Sequence, residues 1–340
     1  MTVGMVALGT GGPRVSRVGL GLMGMSGVYG PADEAESIAT IRAALEAGVT
    51  LLDTGDFYGM GHNELLLRDA LRGVDRSGVF IQVKFGAQRD PGGAFAGYDA
   101  SPAAVKNSLA YSLTRLGTDY VDLYQPARLD PKVPVEDTVG AIADLIQAGY
   151  VRYAGLSEMG ADTIRRAAAV YPVSALQIEY SLMSRGIEAS VLPAVRELGI
   201  SVTAYGILSR GLLSAGARQL GDSDPRRRFP RFQGENLSRN LGLLAAVEQL
   251  ADAAGATPAS SRSPGRCPAA TTSSRSSGPS AGTGWRRLSA RSSCGWGRGS
   301  WPRWRPPSRP RRWPATVTTR APWPRWTVSG TPGRHDHRAV

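Results

Sequence analysis

The stretch Val18-Gly19-Leu20-Gly21-Leu22-Met23 decides between the two folds that suit the rest of this chain. Along residues 15–255, seven short apolar runs alternate with amphipathic segments, a pattern typical of parallel strands joined by right-handed helical crossovers. An open sheet that binds a dinucleotide places G-x-G-x-x-G between its first strand and its first helix. Here Gly19 and Gly21 lie inside the first run, and the next helix begins only near Asp33. The sequence therefore predicts the other α/β fold, a closed (β/α)8 TIM barrel.

The predicted strands are short and rich in Val, Ile, Leu or Tyr, as expected for strands that are buried on both faces. They cover residues 18–23, 49–53, 79–84, 121–124, 151–156, 175–180 and 201–205. Helices are predicted between them, and four of these end just before a glycine, which suits a left-handed C-cap. The predicted helices cover residues 33–47, 63–72, 101–116, 135–148, 161–170 and 186–198.

The composition of the chain changes abruptly near Ala259. The last 82 residues contain 16 Arg, no Lys, one acidic residue and only four residues from Leu, Ile, Val and Phe. All seven Trp and both Cys of the chain lie there as well. The preceding 258 residues carry 24 basic and 27 acidic side chains. We therefore predict a barrel over residues 1–258 and an Arg/Pro/Ser/Trp-rich tail over residues 259–340.

The tail has two interpretations. Its charge and low apolar content predict disorder, and Arg interleaved with Trp suits single-stranded nucleic acid. The second interpretation is a frameshift, because Arg, Ala, Gly, Pro and Ser dominate GC-rich codons translated out of frame. With one base lost and GC-rich third positions, residues 259–267 become Gln-Leu-Ala-Leu-Ala-Trp-Ala-Leu, and residues 269–279 become a segment containing Ile-Val-Pro-Leu-Val. Those segments supply the helix and strand that a barrel needs at this point, so we favour the frameshift.

The frameshift interpretation has a structural consequence. It predicts that the eighth strand and the last helices of the barrel are missing from this chain, and that the barrel does not close. It also predicts that the literal chain is poorly folded and nearly inactive.

Composition excludes several other function classes for residues 1–258. The mildly acidic balance gives no electrostatic reason to expect nucleic acid or an anionic membrane as a partner. These residues contain no Cys, which excludes disulfides and thiolate metal sites there, and we predict no metal site. No signal peptide and no apolar run of about 18 residues is present. The expected location is the cytoplasm.

Three ionisable side chains fall at predicted strand ends, where barrels carry their catalytic groups. Asp53 ends the second strand, Tyr58 follows in the next loop, and Lys84 ends the third strand. A phenol with a pKa near 10 is a poor acid at neutral pH, and a neighbouring cation favours its ionised form. The carboxylate can hold the lysine in place. The three residues therefore predict a general acid catalyst.

Motifs in the same order along residues 7–258 resemble the aldo-keto reductase family. The segments that carry the resemblance are Val18-Gly19-Leu20-Gly21-Leu22-Met23-Gly24, Leu52-Asp53-Thr54-Gly55-Asp56-Phe57-Tyr58-Gly59, Val83-Lys84-Phe85-Gly86, Leu116-Gly117-Thr118-Asp119-Tyr120-Val121-Asp122-Leu123-Tyr124, Gly155-Leu156-Ser157-Glu158, Gln177-Ile178-Glu179-Tyr180 and Ala204-Tyr205-Gly206. The resemblance implies a (β/α)8 barrel that reduces aldehydes and ketones with NADPH and without a metal.

The resemblance also implies roles for single residues. Tyr58 is the expected general acid, Lys84 lowers its pKa, and Asp53 pairs with the lysine. The expected cofactor residues are Ser157 and Gln177 on the nicotinamide carboxamide, Tyr205 on the nicotinamide ring, and Gly206, Ser209, Arg210 and Gly211 along the pyrophosphate. In this family the eighth strand and the following Gly/Arg loop bind the 2′-phosphate of NADPH, so the frameshift leaves the choice between NADPH and NADH open.

One position departs from the family pattern. The usual catalytic His after the fourth strand is replaced by Ala127 in the run Tyr124-Gln125-Pro126-Ala127-Arg128, which resembles a bacterial branch of the family. His62 and Gln125 are therefore candidate substrate contacts. The departure leaves the carbonyl substrate open. It also leaves a second function open, a nucleotide-binding regulatory or redox-sensing barrel without significant turnover.

Overall fold

The computed structural model describes residues 3–27, 30–213, 220–221, 224–253 and 271–274, with the backbone alone for residues 225 and 271–274. Eight parallel strands form a closed ring, so the predicted (β/α)8 barrel is confirmed. The ring order is β3-β4-β5-β8-β9-β10-β11-β12, and β12 pairs with β3. The barrel strands are β3 (Val18–Gly21), β4 (Leu51–Gly55), β5 (Phe80–Phe85), β8 (Val121–Pro126), β9 (Val151–Ser157), β10 (Val173–Glu179), β11 (Ser201–Tyr205) and β12 (Thr271–Ser274).

Seven α-helices lie in the described part of the chain, and the first six correspond to the predicted ones. They are α1 (Glu34–Glu46), α2 (His62–Ala70), α3 (Pro102–Leu116), α4 (Val135–Gln147), α5 (Ala161–Val170), α6 (Val191–Glu197) and α7 (Gly234–Ala253). Helix α6 is shorter than predicted because Ser190, with φ −141°, separates it from a 3-10 turn at Gly186–Glu188. Further 3-10 turns lie at Met23–Ser26, Tyr58–Gly61, Arg76–Gly78, Ser209–Gly211, Pro225–Arg228 and Pro230–Phe232.

The eighth strand is present, so the prediction that the barrel stays open is wrong. Thr271–Ser274 pairs along four residues with β3 and through one residue pair with β11. Strand pairing uses backbone N–H and C=O groups, which an extended segment offers whatever its side chains are. A short stretch of the tail therefore takes the place expected for the eighth strand. The predicted loss of the last helices concerns residues 275–340, which lie outside the described part.

Two antiparallel hairpins add to the barrel, and the sequence did not predict either. The first joins β1 (Met5–Ala7) to β2 (Arg14–Ser16) and lies at the N-terminal end of the strands, where Gly9 N–H donates to Ser201 Oγ at 2.8 Å. The second joins β6 (Ala87–Arg89) to β7 (Phe95–Tyr98) immediately after β5, at the opposite end. Strands of three or four residues are too short for a period-two pattern to identify them.

The apolar core lies between the strands and the surrounding helices. One cluster joins β4, β5 and β8 to α1–α4 and includes Ile41, Leu67 and Ile142. A second joins β9–β11 to α5 and α6 and includes Ile164 and Val195. The C-terminal ends of the strands carry buried polar side chains instead. In the described ranges, no helix is long and apolar enough to cross a membrane.

Candidate functional site

The candidate active site begins with an ion pair on two neighbouring strands. Register places Asp53 of β4 beside Gln82 of β5, and Gly55 beside Lys84. Lys84 Nζ donates a hydrogen bond to Asp53 Oδ1, and Gln82 Nε2 donates to the same oxygen at 3.0 Å. The side chains of Lys84 and Asp53 are only 4% and 7% exposed. Because both charges are removed from water, each depends on the other for compensation.

Tyr58 covers this ion pair. It opens the 3-10 turn that follows β4 and is 5% exposed. The Lys84 ammonium lies 5.3 Å from the centroid of the Tyr58 ring, and Phe57 packs edge-on against that ring. The turn is tight, because Gly59 and Met60 both have positive φ, and a Cβ on Gly59 would lie 3.0 Å from Ser26 Cβ. The three residues predicted as catalytic thus lie together in the structure.

The ionisation of Lys84 reflects two opposing effects. Burial lowers the pKa of the Lys84 ammonium, and the Asp53 carboxylate opposes that shift through its charge and its hydrogen bond. A buried cation beside a phenol stabilises negative charge on the phenol oxygen. The pair can therefore assist proton release from Tyr58.

The strands on the other side of the mouth carry polar groups that lack partners. Ser157 of β9 pairs in register with Gln177 of β10, which pairs with Thr203 of β11. Among the described residues, Ser157 Oγ, Gln177 Nε2 and Thr203 Oγ1 are buried without a hydrogen bond. An unsatisfied buried polar group costs about 1–3 kcal/mol. A ligand with an amide group would satisfy these atoms, so Ser157 and Gln177 fit the nicotinamide carboxamide implied by the sequence.

Tyr205 ends β11 beside this polar group. Burial is the main cause that raises the pKa of Tyr205 well above its ordinary value, and the Glu158 carboxylate, which its hydroxyl contacts, adds to the shift. The phenol therefore stays neutral at physiological pH. A neutral aromatic ring at this place suits stacking against a planar ring of a ligand.

The residues predicted along the pyrophosphate form one turn after β11. Gly206, Ser209, Arg210 and Gly211 all have positive φ, and two of these residues are not glycine. Ser209 Oγ lies 2.9 Å from Ser181 Oγ, which anchors the turn to the segment after β10. Backbone held in such sparsely populated conformations is found at ligand-binding sites.

The two substrate candidates lie in different environments. His62 is exposed at the start of α2, and its Nδ1 lies 3.0 Å from Ser26 Oγ. Gln125 of β8 pairs in register with Lys84 and is wholly buried. Neither its amide nitrogen nor its amide oxygen has a hydrogen-bond partner among the described residues. Gln125 therefore has an amide at the barrel mouth that can hydrogen-bond a ligand, whereas one ring nitrogen of His62 already contacts Ser26.

Ala127 occupies the place where a histidine was expected. It is 3% exposed, and its N–H donates to Phe85 O at 2.8 Å. The backbone of this loop is therefore held beside β5, although the side chain offers no hydrogen bond of its own. The described residues contain no cluster of His, Cys, Asp and Glu that could hold a metal ion.

Sequence analysis missed Arg128 and Glu158. Burial works to lower the pKa of the half-buried Arg128, but the surrounding acidic groups, among them the Glu158 carboxylate, outweigh it and raise that pKa. Glu158 accepts a hydrogen bond from Glu179 N–H at 2.8 Å. Glu158 directly follows β9 and Arg128 lies two residues after the end of β8, and these positions after strands were the available signal.

A second pair of carboxylates lies behind the Tyr58 turn. Burial, followed by the charge of Glu64, raises the pKa of Asp56 to about 7. Glu64 is 0% exposed and accepts a hydrogen bond from Arg115 Nε at 2.5 Å. Asp56 N–H donates to Lys84 O at 2.9 Å, so this network supports the backbone of the site.

Comparisons with known proteins show the family of the chain. The aldo/keto reductase family matches residues 17–261. A protein of Glycine max named probable aldo-keto reductase 1 is 42% identical over 260 residues, which cover 75% of this chain and 74% of that protein.

Two solved structures are similar to the chain at 26% sequence identity. A glycerol dehydrogenase from Gluconobacter oxydans has a TM-score of 0.72 and covers 86% of this chain and 90% of its own. An aldo-keto reductase from Bacillus halodurans in its holo form has a TM-score of 0.63, with 84% and 91% covered. With the ion pair, the adjacent phenol and the family match over most of its length, the chain belongs to the aldo/keto reductase family.

Proposed function

We propose that this protein reduces an aldehyde or a ketone to an alcohol with NADPH as the cofactor, in the cytoplasm. Membership of the family implies NAD(P)-dependent carbonyl reduction. The observation that carries the finer proposal is the buried Asp53–Lys84 ion pair against the ring of Tyr58. It supplies a proton donor and a fixed cation at one point of the barrel mouth.

Each residue of this group has one role. NADPH, when bound, supplies a hydride equivalent from C4 of its nicotinamide. Tyr58 donates its hydroxyl proton to the carbonyl oxygen of the substrate, and Lys84 stabilises the negative charge left on the phenol oxygen. Asp53 keeps Lys84 charged and in place. His62 and Gln125 are proposed substrate contacts.

The cofactor is proposed to bind across the other side of the mouth. Ser157 and Gln177 hydrogen-bond the carboxamide, and Tyr205 stacks on the nicotinamide ring. Gly206, Ser209, Arg210 and Gly211 lie along the pyrophosphate. The support for the carboxamide site is the set of buried polar atoms without partners at Ser157 and Gln177.

We further propose that the tail arises from the loss of one base near the codon for Ala259. The Gly/Arg loop that would hold the 2′-phosphate of NADPH does not occur in the literal tail sequence. Weak NADPH binding and low activity are therefore expected for this chain. The nucleotide sequence at that codon tests the cause, and restoring one base is expected to increase NADPH-dependent activity. Unchanged activity after the repair would contradict the proposal.

A regulatory or redox-sensing barrel is the second candidate function. Ala127 favours it, because a side chain that usually orients the carbonyl is absent. NADPH oxidation by the frame-restored protein with a panel of aldehydes separates the two. An enzyme consumes many equivalents of NADPH per protein, whereas a sensor consumes at most the equivalent that it has bound.

A further inference from the structure

Arg128 is a cation at the barrel mouth without an ion-pair partner among the described residues. It follows β8, which lies beside β5 so that Gln125 faces Lys84 and Pro126 faces Phe85. Its Nη1 donates to Ala127 O at 2.6 Å, and no carboxylate of the described ranges lies within 4.0 Å of it. A guanidinium has five N–H donors, and one hydrogen bond to a carbonyl oxygen leaves donors for a further acceptor. Arg128 is therefore suited to an anionic ligand.

The surroundings of Arg128 are those of the proposed reaction site. The Arg128 guanidinium is close enough to the Glu158 carboxylate and to the Lys84 ammonium to interact electrostatically with both. The register of β8 with β5 puts the loop that carries Arg128 at the end of the barrel where Lys84 lies. The Glu158 carboxylate is already engaged by Glu179 N–H at 2.8 Å and by the Tyr205 hydroxyl.

A neighbour of Arg128 has hydrogen-bonding capacity for a ligand. The Gln125 amide is wholly buried and has no partner in the described part of the chain. A guanidinium presents parallel N–H donors that match both oxygens of a carboxylate.

We propose that Arg128 binds a carboxylate on the substrate, so that this protein reduces oxo acids in preference to neutral carbonyl compounds. The inference rests on the proposed function and adds the substrate class to it. Gln125 then donates a hydrogen bond to the substrate beside Arg128. The carboxylate takes no part in the chemistry. The hydride goes to the carbonyl carbon, the Tyr58 proton goes to the carbonyl oxygen, the oxo acid becomes a hydroxy acid and NADPH becomes NADP⁺.

Calorimetric titration of the frame-restored protein with benzoate and with benzamide tests the anion site without turnover. The two probes have the same shape and differ in charge. We expect benzoate to bind about tenfold more tightly than benzamide, as a charge-assisted contact predicts. Arg128→Met is expected to abolish the difference. The matched control is Arg17→Met, which removes the same charge from an exposed position at the N-terminal end of β3 and keeps the preference.

Equal affinity for the two probes, no binding of either, or a preference that survives Arg128→Met would overturn the inference. If Arg128→Met unfolds, Arg128→Gln replaces it, because it keeps a polar side chain without the charge, and a surviving preference there has the same meaning. Turnover of benzaldehyde, measured in parallel, tests the proposed function separately. Turnover without a benzoate preference contradicts the substrate class alone, and a benzoate preference without turnover of any carbonyl contradicts the reductase function alone.

Discussion

The two sides of the barrel mouth differ in how their polar groups are satisfied. On β4 and β5, Asp53 and Lys84 satisfy each other, with Tyr58 packed over them. On β8 to β11, polar atoms of Gln125, Ser157, Gln177 and Thr203 are buried without partners in the described part of the chain. We call the first group the paired side and the second the unpaired side. On the paired side the two charges satisfy each other and Gln82 Oε1 is a buried atom without a partner in the described part. The unpaired side leaves hydrogen bonds on four residues for ligands to make.

The comparison predicts that substitutions on the paired side cost both stability and turnover. Lys84→Met in the frame-restored protein leaves the Asp53 carboxylate buried without its cation. We expect a loss of about 3–5 kcal/mol in the free energy of unfolding and about 10²–10⁴-fold in kcat. Urea unfolding and steady-state kinetics measure the two effects.

Lys106→Met is the matched control for Lys84→Met. Lys106 forms an exposed pair with Asp144 at 2.9 Å, and exposed pairs contribute about 1 kcal/mol or less. Equal losses for the two substitutions would show that burial does not distinguish the paired side.

Asp56 supports the paired side from behind and makes its stability depend on pH. Its pKa is raised from 3.8 to about 7 in the folded protein, so the unfolded chain loses this proton first as the pH rises. The contribution of Asp56 to stability therefore falls between about pH 4 and pH 7 and is constant above that. The asparagine in Asp56→Asn does not titrate, so the free energy of unfolding of this variant, relative to that of the wild type, is expected to rise by about 2 kcal/mol from about pH 5 to about pH 8.

Urea unfolding at the two pH values measures this gain. The exposed substitution Asp144→Asn serves as the control and is expected to show no such difference. A constant offset between Asp56→Asn and the wild type at both pH values would rule out the titration of Asp56 in this range.

Substitutions on the unpaired side are predicted to affect binding instead of stability. Ser157→Ala and Gln177→Leu remove polar atoms that have no partner, so the free energy of unfolding should stay within about 1 kcal/mol of the wild type or increase. NADPH affinity, measured by calorimetry on the frame-restored protein, should fall about tenfold for each. A large loss in the free energy of unfolding with unchanged NADPH affinity would show that Ser157 and Gln177 stabilise the fold and do not bind the cofactor.

The sequence predicted the paired side more completely than the unpaired side. Each of the seven apolar runs predicted as a strand is a barrel strand in the structure. The positions of Asp53 and Lys84 at predicted strand ends identified them as candidate catalytic residues. Arg128 was missed because the direction of a side chain after a strand depends on neighbours that the linear order does not show. The hairpin β6–β7 was too short for periodicity to identify. The eighth strand was wrongly expected to be absent, because backbone pairing does not require an apolar sequence.

The central claim is that Tyr58 donates the proton in NADPH-dependent carbonyl reduction. The most direct test compares Tyr58→Phe with the wild type in the frame-restored protein, with aldehyde turnover and NADPH affinity measured on the same samples. We predict that turnover falls about 10²–10⁴-fold, while the Kd for NADPH changes less than about threefold. Turnover that persists at the wild-type rate in Tyr58→Phe would contradict the claim.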